Sequence, residues 1–282
     1  MSKPRLVKET CIAGRVIDRT VRITHGSVNG RKRNPRTNPT PDSVQRNNDR
    51  IATLNLARRI NANFGVDDGH LILTHAIEPT YEEAAHHLKL FFSRLRRKAR
   101  KSGEEVKAVW ATELDSRIHH HVVINRIDLS LIRECWTWGR IKWIPLDDDT
   151  NGNYYKLAEY IIKETAANFR DPSSQTKQRY SCTRNLVAPI IVRQPASPSD
   201  FRKTDIKTIK GYQLDEDSVI EFENPISGCP TIFYMMTAID DTPRLSKWRG
   251  GKKSKTVRRE PFKTFEQLRQ TEFSDLFEWD IL

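Results

Sequence analysis

Long apolar runs are missing from this chain of 282 residues. Nowhere do the ~18 consecutive apolar residues of a spanning helix occur, so no membrane anchor is expected. Cysteine is scarce: Cys11, Cys135, Cys182 and Cys229 are the only four, and none forms a CxxC pair. That argues against zinc ribbons and a disulfide framework, and it fits a reducing, cytoplasmic setting. The first residues, MSKPRLVKETCIAG, carry charge but no apolar h-region, so no secretory signal is expected. A GxxxxGK[ST] loop is absent, which excludes a P-loop NTPase and leaves strand separation to another protein. No internal repeat is present.

What the chain has in excess is positive charge. Lys and Arg number 48 against 36 Asp and Glu, a formal charge of +12, and the pI is near 9.6. Such a balance points first to a polyanionic partner, with nucleic acid leading. With 37% hydrophobic and 30% charged residues the chain reads as globular, one large domain or two modest ones. Residues 26–50 are polar, carry Pro35, Pro39 and Pro41 and hold the cluster Arg31, Lys32, Arg33 and Arg36. They read as a linker or a phosphate-tracking arm, followed by a short helix over 49–63.

From His70 the pattern is regular. HLILTHA reads as a strand, and a helix from Pro79-Thr80 to Lys101 carries Ala84, Leu88, Phe91, Phe92, Leu95 and Ala99 in one stripe. Its end, Arg94 to Lys101, holds six basic residues in eight, which suits either the helix dipole or nucleic-acid contact. Strands over 106–113 and 118–125 form a hairpin. A helix at 129–136, a strand at 139–146 and a helix at 154–169 complete a β-α-β-β-α-β-α order. The expected fold class is α+β, an antiparallel split βαβ sheet of ferredoxin or RNA-recognition type with helices on one face and an added C-terminal β-rich segment. The expected divisions are a basic arm and short helix (1–64), the core (65–170), a sheet extension or accessory subdomain (171–245) and a basic-then-acidic tail (246–282).

Three histidines stand in a row. Strand alternation puts His119 and His121 on one face and His120 on the other. If Leu114 pairs with Ile118, Glu113 lies opposite His119 and diagonal to His121. Two imidazoles and a carboxylate leave open positions on a divalent ion, which suits polarisation of a phosphoryl oxygen; exposed histidines on a polar face are the plain alternative. On the 154–169 helix, Tyr160 lies about 140° from the apolar stripe, with Lys156 and Lys163 beside it. It is either a surface tyrosine or a nucleophile toward a phosphodiester once cations lower its pKa. The other five histidines call for no special account.

Together IHHHVVIN, the upstream WATE and the downstream YIIK resemble the HUH endonucleases, in particular the rolling-circle replication initiators (Rep proteins) of plasmids and phages, over roughly residues 65–190. The resemblance implies an HUH-type sheet in which His119, His121 and Glu113 bind Mg²⁺ or Mn²⁺. It makes Tyr160 the nucleophile and Lys163 its cationic helper. His120 departs from the usual bulky apolar middle residue, and a one-residue slip would turn it to the metal instead. The implied reaction is nicking of single-stranded or extruded origin DNA, with a 5′-phosphotyrosyl link and a free 3′-hydroxyl, followed by rejoining. Arg94, Arg96, Arg97, Lys156, Arg179 and Arg184 are candidate DNA-binding cations. Trp110, Trp136 and Trp143 either stack bases or pack the core. A separate helicase and a host polymerase in a bacterial cytoplasm are the implied partners. A transposase or relaxase of the same chemistry, a non-catalytic RNA-recognition-like binder and a zinc hydrolase are the other readings.

Overall fold

The computed structural model describes residues 5–24, 41–114, 117–146, 152–170 and 178–239. The basic cluster at 31–36, the turn at 147–151 and the tail at 246–282 lie outside the described residues. The chain divides into two compact units: Cys11–Ile17 with Asp42–Ile190, and Met1–Thr10, Asp18–Pro41 with Ile191–Leu282. In chain order the elements are β1 (Arg5–Ala13), β2 (Val16–Thr24), α1 (Asp42–Asn61), β3 (Gly69–Thr74), α2 (Tyr81–Lys101), β4 (Ala108–Glu113), β5 (His119–Ile124) and α3 (Leu129–Cys135). There follow β6 (Ile141–Pro145), α4 (Tyr155–Glu164), α5 (Ala166–Arg170), β7 (Ser181–Cys182), β8 (Ile190–Pro195), β9 (Tyr212–Glu223) and β10 (Pro230–Ala238). No helix among the described residues is long and apolar enough to cross a membrane.

The first sheet runs β6-β3-β5-β4-β7, and each of its pairings is antiparallel. Leaving β7 aside, that order interleaves two βαβ units, the α+β arrangement expected from the sequence. The local reasons are plain in α2. Thr80 caps it through a capping box, its Oγ1 accepting from Glu83 N while Glu83 Oε2 accepts from Thr80 N. All six residues of its apolar stripe are buried. Gly103, at φ 75°, ends it by taking a left-handed turn that a side chain would resist.

Both faces of this sheet are covered, which corrects the expectation of helices on one face. On one side α2 and α3 pack Leu88, Phe91, Leu95 and Ile132 onto Leu71, Leu73, Val122 and Ile124. On the other, α1 and α4 pack Leu56, Ile60, Ala158, Ile161 and Ile162 against Val109, Ala111 and Val123. The tryptophans belong to the first layer: Trp136 is buried, and Trp110 and Trp143 are partly buried against it. Gly69 makes room for Trp143, since a Cβ there would stand 2.3 Å from the indole.

Three further expectations change. Helix α1 starts at Asp42 rather than 49, because Val44 and Asn47 are buried on a helix face that a polar SVQRNND stretch conceals. The helix expected over 154–169 breaks at Thr165, whose hydroxyl donates back to Ile161 O, and Phe169 is exposed beneath the Arg179 guanidinium. Of the C-terminal strands only β7 extends the first sheet. The others join the N-terminal pair in a second sheet, β8-β1-β2-β10-β9, where β1 and β2 occupy residues for which the sequence reading offered no element. Buried Glu9, which accepts from Arg22 and Arg193, and buried Asp18 break the hydrophobic alternation there.

Because Phe91 is fully enclosed between α2 and the sheet, Phe91→Ala is expected to cost about 3–5 kcal/mol in urea unfolding. Ile77→Ala, at a residue 86% exposed, is expected to stay within ~0.5 kcal/mol of the parent.

Candidate metal centre and tyrosine

The β4–β5 register sets the site. Glu113 pairs with His119, and Ala111 with His121, so the carboxylate and both imidazoles rise from one face, the side covered by α1 and α4. His120 pairs with Thr112 and points the other way. There it is enclosed by Trp136 and His75, its Nδ1 2.9 Å from the Thr112 hydroxyl. A slip that brings His120 to the metal face is therefore not realised.

Glu113 Oε2 lies 3.0 Å from His119 Nε2 and 3.2 Å from His121 Nε2. Glu113, His119 and His121 each offer a ligand atom within 4.8 Å of the others. His119 Nδ1 lies 2.9 Å from the Arg117 carbonyl, which can only accept, so that nitrogen carries the proton and Nε2 presents a lone pair. The start of β5 is itself pinned, with Ile118 N and Arg117 Nε both donating to Glu78. Burial, and then the neighbouring His119, depress the His121 pKa to about 4, so it too is neutral near pH 7. Two neutral nitrogens facing one carboxylate oxygen repel unless a cation or proton lies among them. Adjacent ligands ~2.1 Å from a metal ion sit about 3 Å apart. The donor set therefore fits a divalent cation.

A further residue supports the set. His70 Nε2 lies 3.1 Å from His121 Nδ1, with the two rings stacked. With the His121 Nε2 lone pair turned to Glu113, His121 donates its Nδ1 proton to His70. Burial, then His121 and Lys142, lower the His70 pKa to about 4. The sequence reading passed over both His70 and Lys142. The β3–β5 and β3–β6 registers, which place His70 opposite Val123 and Ile144, and Lys142 opposite Ile72, are what bring them to this face.

Helix α4 delivers the tyrosine. Ala158, Ile161 and Ile162 bury its inner side, and Tyr154 N donates to Asn61 Oδ1 at its start. Tyr160 sits at the margin, 42% exposed, with its ring edge-on to His121 at 5.4 Å and to His70 at 6.5 Å. Burial, then Glu164 and Glu113, raise its pKa. The expected lowering by lysines is thus not what its surroundings produce. Lys163 and Lys156 are exposed on the same helix. Of the other candidate cations, Arg94 donates to Thr137, Arg179 pairs with Asp49, Arg96 lies over the Phe92 ring, and Arg97 and Arg184 are exposed.

Residues 70–168, from β3 into α5, match a family model described as replication-associated protein of the ORF2 type. That match supports a replication initiator. No curated protein and no solved structure matches the chain.

In calorimetric titration with Mn²⁺, Glu113→Ala, His119→Ala and His121→Ala are each expected to abolish binding, whereas His120→Asn retains it. His70→Leu is expected to weaken binding ~10–100-fold by freeing the His121 ring.

Acid sensitivity follows from the same histidines. An unfolded histidine takes its proton near pH ~6.5, but folded His70 and His121 do so near 4 and His120 near 3, burial being the main cause. Below about pH 6.5 the unfolded chain binds more protons, so stability is expected to fall as pH drops toward 4 and to be insensitive to these groups above about 7. Urea midpoints between about pH 7.5 and 4.5 test this, with a shallower slope expected for His120→Asn.

Proposed function

We propose that the chain is a replication initiator of the HUH type that nicks single-stranded or extruded origin DNA with Tyr160 and later rejoins it. The observation that carries this reading is the contact of Tyr160 with His121, itself beside Glu113, within the stretch that matches the replication-associated family. Tyrosine, imidazoles and carboxylate come from three elements, α4, β5 and β4, which only the folded chain brings together.

His119, His121 and Glu113 would hold Mg²⁺ or Mn²⁺, which when bound supplies Lewis-acid polarisation of a phosphoryl oxygen. The rigid β4–β5 ladder orients the scissile phosphate, and α4 presents the phenol at the edge of that ladder. Tyr160 Oη bonds to phosphorus while the 3′-oxygen departs with a proton, leaving a 5′-phosphotyrosyl link and a free 3′-hydroxyl. The phenolic proton passes to solvent. The carboxylates of Glu164 and Glu113 oppose that loss, and Lys163, one turn beyond Tyr160, offsets them. A DNA hydroxyl attacking the same phosphorus reverses the step and reseals the strand without ATP. A helicase and a host polymerase would be separate proteins in the cytoplasm.

Mass spectrometry of the protein after incubation with Mn²⁺ and single-stranded origin oligonucleotides is expected to find a tryptic peptide with a nucleotide on Tyr160. Tyr160→Phe is expected to lose the adduct entirely while keeping its affinity for the oligonucleotide. Purely non-covalent complexes from both proteins would overturn the proposal.

A further inference from the structure

The cations of α2 fall into two rows. Arg94 donates to Thr137 and lies 4.9 Å over the Trp138 ring, while Lys98 pairs with Glu134, so this row ties α2 to α3 and the loop after it. Lys89, Arg96 and Arg100 share another side of the helix and have no carboxylate partner among the described residues. The helix dipole accounts for Arg100 in the last turn, but Lys89 and Arg96 lie farther than one turn from Lys101.

These free cations border two adjoining clefts. One, of 480 Å³, is lined by Phe92, Arg96, Trp110, Thr112 and Tyr180 among others. The next, of 690 Å³, shares Arg96 and adds Arg100 and Arg184, with Glu104 and Glu105 also on its wall. Phe92 and Trp110 lie ring to ring at 4.6 Å, and the Arg96 guanidinium lies 5.5 Å over Phe92. Strand β7 pairs with β4 only at Val109 and Trp110, so the β4 edge from Ala111 to Glu113 has no strand beside it among the described residues. The first cleft reaches Ala111 and Thr112, the residues that lead to Glu113.

We propose that this groove between α2 and the β4–β7 edge holds the single-stranded DNA that leads to the metal centre. One base docks against Phe92, Trp110 and Tyr180, and phosphates lie along Lys89, Arg96, Arg100 and Arg184. The inference rests on the replication-initiator reading and adds the path of the strand. Unpaired cations attract a polyanion, and aromatic side chains stack bases of any identity, the pairing of features that single-strand binders use. The first cleft has the volume of a small-ligand site. A base enters it only when unstacked, which favours a single strand over a duplex.

The test uses the full chain, fluorescein-labelled dT15, a 15-mer duplex and an abasic 15-mer across a salt series. Lys89→Gln/Arg96→Gln/Arg100→Gln/Arg184→Gln is expected to bind dT15 at least tenfold more weakly. Its salt slope is expected to flatten by roughly 0.7 per lost contact. The equally charged control Lys101→Gln/Arg126→Gln/Arg133→Gln/Arg140→Gln is expected to keep the parent's slope. The parent is expected to prefer dT15 to the abasic strand at least fivefold, and Tyr180→Leu to lose most of that preference. Equal losses in both quadruple variants, an unchanged slope in the groove variant, or a duplex bound as tightly as dT15 would overturn the proposal. A Tyr160 adduct in the parent together with full dT15 binding by the groove variant rejects the groove and keeps the nuclease. No adduct, together with lost binding in the groove variant, rejects the nuclease and keeps the groove.

Discussion

The pairing of Glu113 with His119 across the β4–β5 hairpin is the contact on which the rest of the site depends. It sets one carboxylate oxygen 3.0 and 3.2 Å from two imidazole nitrogens, an arrangement that only a shared cation or proton makes favourable. A shift of one residue would turn His120 to this face and carry Glu113 away from both partners, because side chains alternate along a strand. The hairpin is held against such a shift on both flanks. Strand β3 pairs with every residue of β5 from His119 to Ile124, and Glu78 fixes the chain just before His119.

The two layers divide the work. The α2–α3 layer is deeply apolar and takes in His120 and Trp136; it makes the sheet rigid. The α1–α4 layer covers the metal face only in part, burying Val109, Ala111 and Val123 while leaving Tyr160 at its margin. A site of this kind needs both properties: ligands fixed by a packed ladder, and an opening through which a phosphodiester can reach the phenol. His70 belongs to the rigid part. It is buried and holds the far nitrogen of His121, so the ring that faces Glu113 cannot turn freely.

Much of this was legible because it is local. The stripe of α2, the alternation through His119–His121 and the turn that opposes Glu113 to His119 follow from periods of about 3.6 and 2, and the structure has the same α+β order. Less legible were features that depend on distant partners. His70 looked like a strand-end histidine until β3 paired with β5. The start of α1 was hidden because its buried residues include Asn47 among polar neighbours. Strands β1 and β2 were hidden by buried Glu9, whose charge is met by Arg22 and by Arg193 far along the chain. The environment of Tyr160 was misjudged because Glu113 reaches it only through the fold.

By itself, then, the sequence determined the element order of the first sheet, which residues share a face within a strand or helix, and the excess of positive charge, since periodicity and composition are properties of neighbours along the chain. The tertiary structure alone decided that α1 and α4 cover the second face, that His70 supports His121, that the C-terminal strands join the N-terminal pair in a separate sheet, and which α2 cations are left unpaired. Those outcomes depend on contacts between segments far apart in the chain, and no local pattern encodes which distant surface a residue will meet.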